Sequence, residues 1–334
     1  MKKLKSNNLF SIQLMLGFSL VFLMVSSGIM APMISPSPPH TQILEFRNKP
    51  PGFSGTVIYF RHKINLPIQS VAVQSFKKET EGLFYTDFLN RSFFLPNNKL
   101  EKEWVKTFTF LLGADQFGRD VLSRIIYGAR ISLLVGVCAS TISILIGVLF
   151  GGVAGFFGSW TETILMRITD MMFGFPVLLF LISITVIFKP SLTVLFVAIG
   201  LVSWPGAARL VRGQVLSVKS QEYILAARTM GISSGRILWR HIFPNCLSPV
   251  IIIYALGVGS AVLAEAGLSF LGLGAQPPIP SWGSMINLGK DFIRVAPWIS
   301  IAPGVAIALT VLGFNLVGDS LRDYFDPRME TKIN

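Results

Sequence analysis

The stretch Ser220 to Asn245, SQEYILAARTMGISSGRILWRHIFPN, is a polar island in an apolar half of the chain. Ser220 is placed to cap a short helix, and Glu222 falls in its first turn, where a carboxylate suits the positive end of the helix dipole. Gly231 is placed to end that helix in the left-handed conformation that residues with a Cβ resist. Ser233 or Ser234 then caps a second helix. On it Arg236 and Arg240 share one face at i,i+4, Ile237, Leu238 and Ile242 line another, and Pro244 stops it. The expectation is an elbow of two short amphipathic helices joined by a glycine turn. Periodicity alone fits an amphipathic loop lying on a membrane surface equally well.

Composition gives the elbow its setting. Of 334 residues 51% are hydrophobic and 14% charged, and the mean hydropathy is +0.61. Soluble domains carry about a quarter charged residues, so the chain reads as a membrane protein. The formal net charge of +12 fits the concentration of Lys and Arg in cytoplasmic loops, and no nucleic acid is implied. Between Ala207 and Pro249 stand Arg209, Arg212, Lys219, Arg228, Arg236 and Arg240 against the single acid Glu222. That excess in a short loop places the elbow in the cytoplasm. Cys138 and Cys246 offer no CxxC or metal-ligand spacing.

Outward from the elbow the apolar segments fall into six spans. Met1 to Asn8 is a basic cytoplasmic tail with Lys2, Lys3 and Lys5, and residues 9–31 form the first span, too long for a signal-peptide core of roughly 7–15 residues. Residues 32–123 read as a polar, irregular extracytoplasmic loop with short β-like runs such as Thr56 to Phe60. Its side is assigned and its role left open between spacer and substrate-facing or protein-facing structure. Residues 124–318 form the membrane core, with the elbow loop at 207–249, and 319–334 a second cytoplasmic tail. In the second span, Ile131 to Phe157, Gly147, Gly151 and Gly155 recur every fourth residue and mark a helix contact face. The third span carries Arg167 and Asp170 at i,i+3, a pair expected to neutralise itself, and Pro176, expected to kink or unwind it. The fourth is expected to end at Trp204-Pro205. The fifth, Val250 to Leu271, holds Glu265, an ionisable group at membrane depth and so a candidate pathway residue or a structural hydrogen-bonding one. After it, Gln276-Pro277-Pro278-Ile279-Pro280-Ser281-Trp282-Gly283 reads as a rigid outer gate or re-entrant segment, with Gln276 and Trp282 as candidate gate residues.

With these residues in view, the elbow resembles the EAA loop through which ABC importer permeases dock onto their ATPases. In the family pattern Glu-Ala-Ala is followed by three residues, Gly, nine residues and Ile-x-Leu-Pro. Ala226, Ala227, Gly231 and Pro244 are in register, while Leu225, His241 and Phe243 replace the glutamate, isoleucine and leucine. Glu222 to Arg228 and Arg240 to Asn245 are similar to the version in the dipeptide, oligopeptide and nickel branch. Leu112 to Arg124, with Ala114 where threonine is usual, and Tyr127 to Leu133 resemble that branch's entry to the core in the C-type of its two paired permeases. There Arg119, Arg124 and Arg130 are expected to reach into the headgroups. The tail Gly318 to Arg328 is similar as well. The resemblance covers about Thr107 to Arg328 and, more loosely, the first span.

The resemblance implies an all-α integral membrane protein: six transmembrane helices in the type I ABC importer permease (MetI-like) fold, with a long extracytoplasmic loop and both termini cytoplasmic. It implies a second permease subunit, two ABC ATPases and an extracytoplasmic solute-binding protein as partners. ATP and magnesium then sit in the ATPases, this chain binds no cofactor and no metal, and it is not itself an enzyme. Glu222, Tyr223, Ala226, Ala227, Gly231, Arg236, Arg240, His241 and Pro244 are the expected ATPase-docking residues. The expected cargo is a dipeptide or oligopeptide, with nickel or another small solute as the alternative. A secondary transporter coupled through Glu265 and Asp170 is the rival outside the family. Gly283 to Lys290 is not a Walker A motif, having one residue too many between its glycines and Asp291 in place of Ser or Thr. Gly231-Ile232-Ser233-Ser234-Gly235 matches a hydrolase elbow in letters only, because it joins two helices. His40, His62 and His241 form no ligand cluster.

Overall fold

The computed structural model describes residues 2–61 and 67–325. In chain order the elements are α1 (Lys2–Ile29), α2 (Ala31–Ile34), β1 (Phe53–Phe60), β2 (Gln69–Lys78), β3 (Gly82–Asp87), β4 (Ser92–Pro96) and β5 (Leu100–Phe110). There follow α3 (Val121–Phe157), α4 (Ser159–Gly174), α5 (Val177–Ile187), α6 (Leu192–Lys219), α7 (Glu222–Thr229), α8 (Ser234–Ile237), α9 (Phe243–Phe270), α10 (Trp282–Gly289) and α11 (Trp298–Phe325). Asp326-Pro327-Arg328, the end of the expected tail, and His62 lie outside the described residues.

Among the described residues five helices are long and apolar enough to cross a bilayer: α1, α3, α6, α9 with its elbow extension, and α11. The sixth candidate, α4 with α5, bends by 87° at Phe175-Pro176. The break falls where Pro176 was expected to disturb the helix, since proline removes a backbone donor and disfavours helical geometry in the residue before it.

Small residues set how closely the spans approach. A Cβ at Gly147 would lie 2.5 Å from Ala207 Cβ, one at Gly151 would run into the carbonyl oxygen of Ala208, and one at Gly155 would lie 2.9 Å from Arg212 O. The four-residue glycine repeat is therefore the face on which α3 meets α6, as its spacing predicts. In the same way Gly17 of α1 faces Leu316, and Gly313 of α11 faces Leu20, so α1 and α11 run antiparallel. At the start of α11, Trp298 Nε1 donates to Ala114 O at 3.2 Å, close to the start of α3. The start of α1, the end of α3, the elbow and the end of α11 consequently share one end of the bundle.

Three sequence expectations in the core are corrected. α6 does not end at Trp204-Pro205 but carries Pro205 within it and runs on to Lys219, because the packed glycine face continues beyond the proline. Pro244 does not stop a helix. It sits in the first turn of α9, and the chain passes from α8 to α9 without leaving helical geometry, through one π turn, Leu238–Ile242. Asp170 pairs with Arg209 of α6 at 2.6 Å rather than with Arg167, and Glu162 of α4 pairs with Arg212.

Strands β1 to β5 form a five-stranded antiparallel sheet, ordered β4-β3-β2-β1-β5; β1 contains the β-like run Thr56 to Phe60 read in the sequence, within a loop otherwise expected to be irregular. The last strand returns to pair with the first, Phe53 opposite Phe110 and Thr56 opposite Thr107. Phe46 is fully buried and meets Phe53, Phe88 and Phe110 edge-on, so the sheet has its own aromatic core. Backbone bonds from Ala114 N to Lys49 O at 2.9 Å and from Asn48 N to Asp115 O at 3.0 Å fix its base to the start of α3.

Candidate functional site

At the elbow, Gly231 has φ +75°. Its amide donates to Arg228 O at 3.0 Å and that of Ile232 to Ala227 O at 3.1 Å, the two reverse bonds that close a helix through a left-handed residue. Gln221, not Ser220, precedes the short helix. Ser220 ends α6 and turns its hydroxyl back to Ser217 O, because the preceding helix runs further than expected. Ser233 takes the cap position of α8 without a side-chain bond.

The elbow has two faces. Ile224, Ala227, Ile237 and Ile242 are buried against Phe156 of α3 and Val211 and Val215 of α6. Lys219 Nζ donates to Phe156 O at 2.6 Å, and the Arg228 guanidinium lies 5.7 Å from the Phe156 ring centre. The hairpin is thus seated on the ends of two spans. Facing away are Glu222, Tyr223, Ala226, Gly231, Arg236, Arg240 and Pro244, together with Leu225, Met230 (79% exposed) and Trp239 (73% exposed). Asn245 Nδ2 links the two arms by donating to His241 O at 2.6 Å and Tyr223 Oη at 3.4 Å. Of the residues singled out in the sequence, Ala227 therefore belongs to the elbow's core and His241 is half-buried. Met230 and Trp239 were not singled out, although a large apolar residue beside a charged turn is the signal that marks them.

Midway along the bundle, α3, α6 and α9 line a partly open cavity of about 280 Å³ whose walls include Ser140, Ser143, Ser203, Gly257 and Ser260. Ser140 Oγ is buried with no hydrogen-bond partner among the described residues. Nothing in the sequence singled out these serines, because they come from three helices and share a face only after packing.

Towards the sheet end, Glu265 is completely buried. It accepts from Ser269 Oγ at 2.6 Å on its own helix and from Ser132 Oγ of α3 at 3.0 Å. Ser281, the N-cap of α10 in a capping box with Ser284, donates to Ser269 Oγ at 3.4 Å. Trp282 is fully buried above Gly128, with Nε1 donating to Ile125 O at 3.0 Å. Gln276 is exposed and holds its own loop, donating to Gly272 O and Gly274 O. Glu265 and Trp282 are thus joined through Ser132, Ser269 and Ser281, while Gln276 stands apart.

Arg119 and Arg124 do not reach out to headgroups. Both are buried and converge on Asp115 Oδ2, with Nε at 2.6 Å and 3.6 Å, because α3 begins at Val121 and carries Arg124 inside its first turn. Arg130 is exposed, as expected. Among the described residues no group of three or more His, Cys, Asp or Glu side chains is placed to hold a metal.

A core of helices long and apolar enough to cross a bilayer, with a hairpin seated on the ends of two of them, defines the class: an integral membrane protein. The chain belongs to the family described as "Binding-protein-dependent transport system inner membrane component", which matches residues 147–331. It is 45% identical over 236 residues to the dipeptide transport system permease protein DppC of Alkalihalophilus pseudofirmus, covering 71% of this chain and 77% of that one. It is 43% identical to the glutathione transport system permease protein GsiD of Pectobacterium atrosepticum, covering 66% and 73%. It is 42% identical to the oligopeptide transport system permease protein OppC of Bacillus subtilis, covering 65% and 71%. Among solved structures, the MetNI methionine ABC transporter in inward facing conformations aligns with a TM-score of 0.52 at 16% identity over 61% of this chain and 97% of that one, which gives the MetI-like fold. The chain is therefore a multi-pass inner-membrane permease subunit, a transport component and not an enzyme.

Proposed function

We propose that this chain is one of two permease subunits of an ATP-driven importer that moves dipeptides or oligopeptides across the cytoplasmic membrane by alternating access. The observation that carries the reading is the elbow: a closed, seated hairpin with Tyr223, Leu225, Met230 and Trp239 exposed beside Arg236 and Arg240. An apolar surface rimmed by guanidinium groups suits a groove on a partner protein. The relatives' names, dipeptide, oligopeptide and glutathione transport, supply the substrate class. Two ATPases, one per permease, hold ATP and magnesium. An extracytoplasmic binding protein delivers the solute on the sheet side, and both termini lie in the cytoplasm with the elbow.

In this reading, closure of the ATPases pushes the elbow. Because the elbow's core is shared with the ends of α3 and α6, the push tilts those spans and opens or closes the serine-lined cavity between them. Serine hydroxyls donate and accept without fixed charge, which suits passage of peptide backbones of varied sequence. Glu265 acts as a structural tie between α3, α9 and α10. Uptake of a labelled tripeptide into proteoliposomes carrying both permeases, the ATPases and the binding protein tests the proposal. The expected result is uptake that requires ATP inside the cytoplasmic compartment. Uptake driven by a sodium or proton gradient without ATP overturns it.

A further inference from the structure

We propose that Arg119 and Arg124 form an anion subsite at the sheet-side mouth of the core, shaped for a single carboxylate group. A cavity of about 100 Å³ lies there, walled by Arg119, Arg124, Ser269, Gln276, Ser284 and Asn287 and flanked by the exposed Pro277 and Pro278. Among the described residues its wall holds two guanidinium groups and no carboxylate. About 10–15 Å³ of such space already holds one water, so the cavity has room for a carboxylate and the carbon that bears it.

The arginines have more donors than their surroundings accept. Each guanidinium carries five N–H groups, and both are more than nine-tenths buried. Arg119 gives Nε to Asp115 Oδ2 at 2.6 Å, while its Nη2 is buried without a partner among the described residues. Arg124 gives Nη1 to Pro39 O at 3.3 Å and stands 3.6 Å from the same Asp115 oxygen. Asp115 is itself committed, since its other oxygen accepts Phe117 N at 2.8 Å and Arg119 N at 3.0 Å. Among the described residues Asp120 makes no ion pair with either arginine, both of which turn to Asp115; its Oδ2 is taken by the amide and hydroxyl of Ser123, and burial pushes its carboxyl above the ordinary range. A second carboxylate presented to the cavity would meet the unpartnered Arg119 Nη2 beside two guanidinium groups that share one carboxylate, the setting in which charge-assisted bonds to arginine are strong.

Two sources present such a group on this side: the terminal carboxylate of a solute, and an acidic side chain of a docked protein. The site rests on the transport reading only for that source. The test uses the full chain in lipid nanodiscs at constant ionic strength, with thermal stability read against sodium acetate, sodium chloride and acetamide. Acetate is expected to stabilise saturably while chloride and acetamide do not. Arg119→Lys should weaken the acetate response by about tenfold or more, the loss of one charge-assisted bond. Because Arg119→Lys also disturbs the Asp115 pair, Asn287→Asp provides a second variant that keeps both arginines. Its carboxylate should occupy the cavity, raise the basal melting temperature and abolish the acetate response. Ala-Ala acting where its C-terminal amide does not assigns the solute as source, and an acetylated, amidated peptide with an internal Glu acting instead assigns a protein side chain. Acetate behaving as chloride does, or an unchanged acetate response in Asn287→Asp, overturns the subsite and leaves a cavity that holds water. These readouts involve no ATP, so they stand or fall separately from transport.

Discussion

The Ile232 amide donates to the Ala227 carbonyl at 3.1 Å, across a Gly231 whose φ is +75°. This bond turns the chain from α7 into α8 and sets Met230 beside the turn. A Cβ at Gly231 would meet nothing within 4 Å, so substitution there strains the backbone without a clash. Gly231→Ala should cost about 1 kcal/mol, whereas Gly231→Asn, which tolerates the left-handed region, should cost less. Amide exchange at Gly231 and Ile232 checks this. Equal protection in the two variants would contradict it.

The glycine face between α3 and α6 predicts a larger penalty. A Cβ at Gly151 would overlap the backbone carbonyl of Ala208, while one at Gly213 on the same α6 meets nothing. Gly151→Ala should destabilise by about 1–3 kcal/mol through overpacking, and Gly213→Ala should be neutral or mildly stabilising. Thermal melting of the purified chain distinguishes them. A tolerated Gly151→Ala would mean that α3 and α6 do not meet here.

If Glu265 is a structural tie, its shape and acceptors matter more than its charge. Glu265→Gln keeps an acceptor and a donor for Ser132 and Ser269, and should stay within about 1 kcal/mol of wild type. Glu265→Leu leaves buried hydroxyls without their partner and should lose about 1–3 kcal/mol. Should Gln prove as damaging as Leu, the charge itself would be the requirement, and a pathway role would return.

The sheet carries its own acid sensitivity. Asp87 accepts the amides of Arg91 and Leu89, both at 2.9 Å, and pairs with the Arg91 guanidinium. The Arg91 amide, aided by that side chain and the Leu89 amide, holds the carboxyl below its usual range against the opposing effect of burial. A carboxylate lowered on folding stabilises above its unfolded pKa of about 4, and that contribution disappears as pH falls through the lower folded value. Protection of the Leu89 and Arg91 amides, corrected for intrinsic exchange, should therefore fall below about pH 4 in wild type and be absent at every pH in Asp87→Ala. A turn equally protected at pH 3 and pH 7 would contradict this.

Much of the elbow's shape was legible because its signals are local: a glycine after a short amphipathic run, and acids and bases placed by the dipole. Its second arm was read as a separate helix because Pro244 signals a stop in sequence. In the fold that proline directly follows the π turn that carries α8 into α9. Glu265 announced itself as a lone acid in an apolar run, but its partners Ser132 and Ser281 come from other elements, and no local pattern names them. The same holds for the serine cavity and for Asp115 drawing in Arg119 and Arg124. The sheet was hidden for a further reason. Its closing pair, β1 with β5, joins residues far apart in sequence, and Glu101, Lys102, Glu103 and Lys106 break the apolar alternation of β5 as charges on an edge strand do.

Docking of an ATPase at the elbow is tested by a pull-down of the detergent-solubilised chain with its partners identified by mass spectrometry, comparing wild type, Gly231→Asn and Gly231→Arg. An ATPase and a second permease are expected with wild type and with Asn, and loss of the ATPase alone with Arg, whose side chain would project from the exposed turn. A folded wild-type chain that brings down no ATPase even after gentle crosslinking, or an Arg variant that retains it fully, would rule out docking at the elbow.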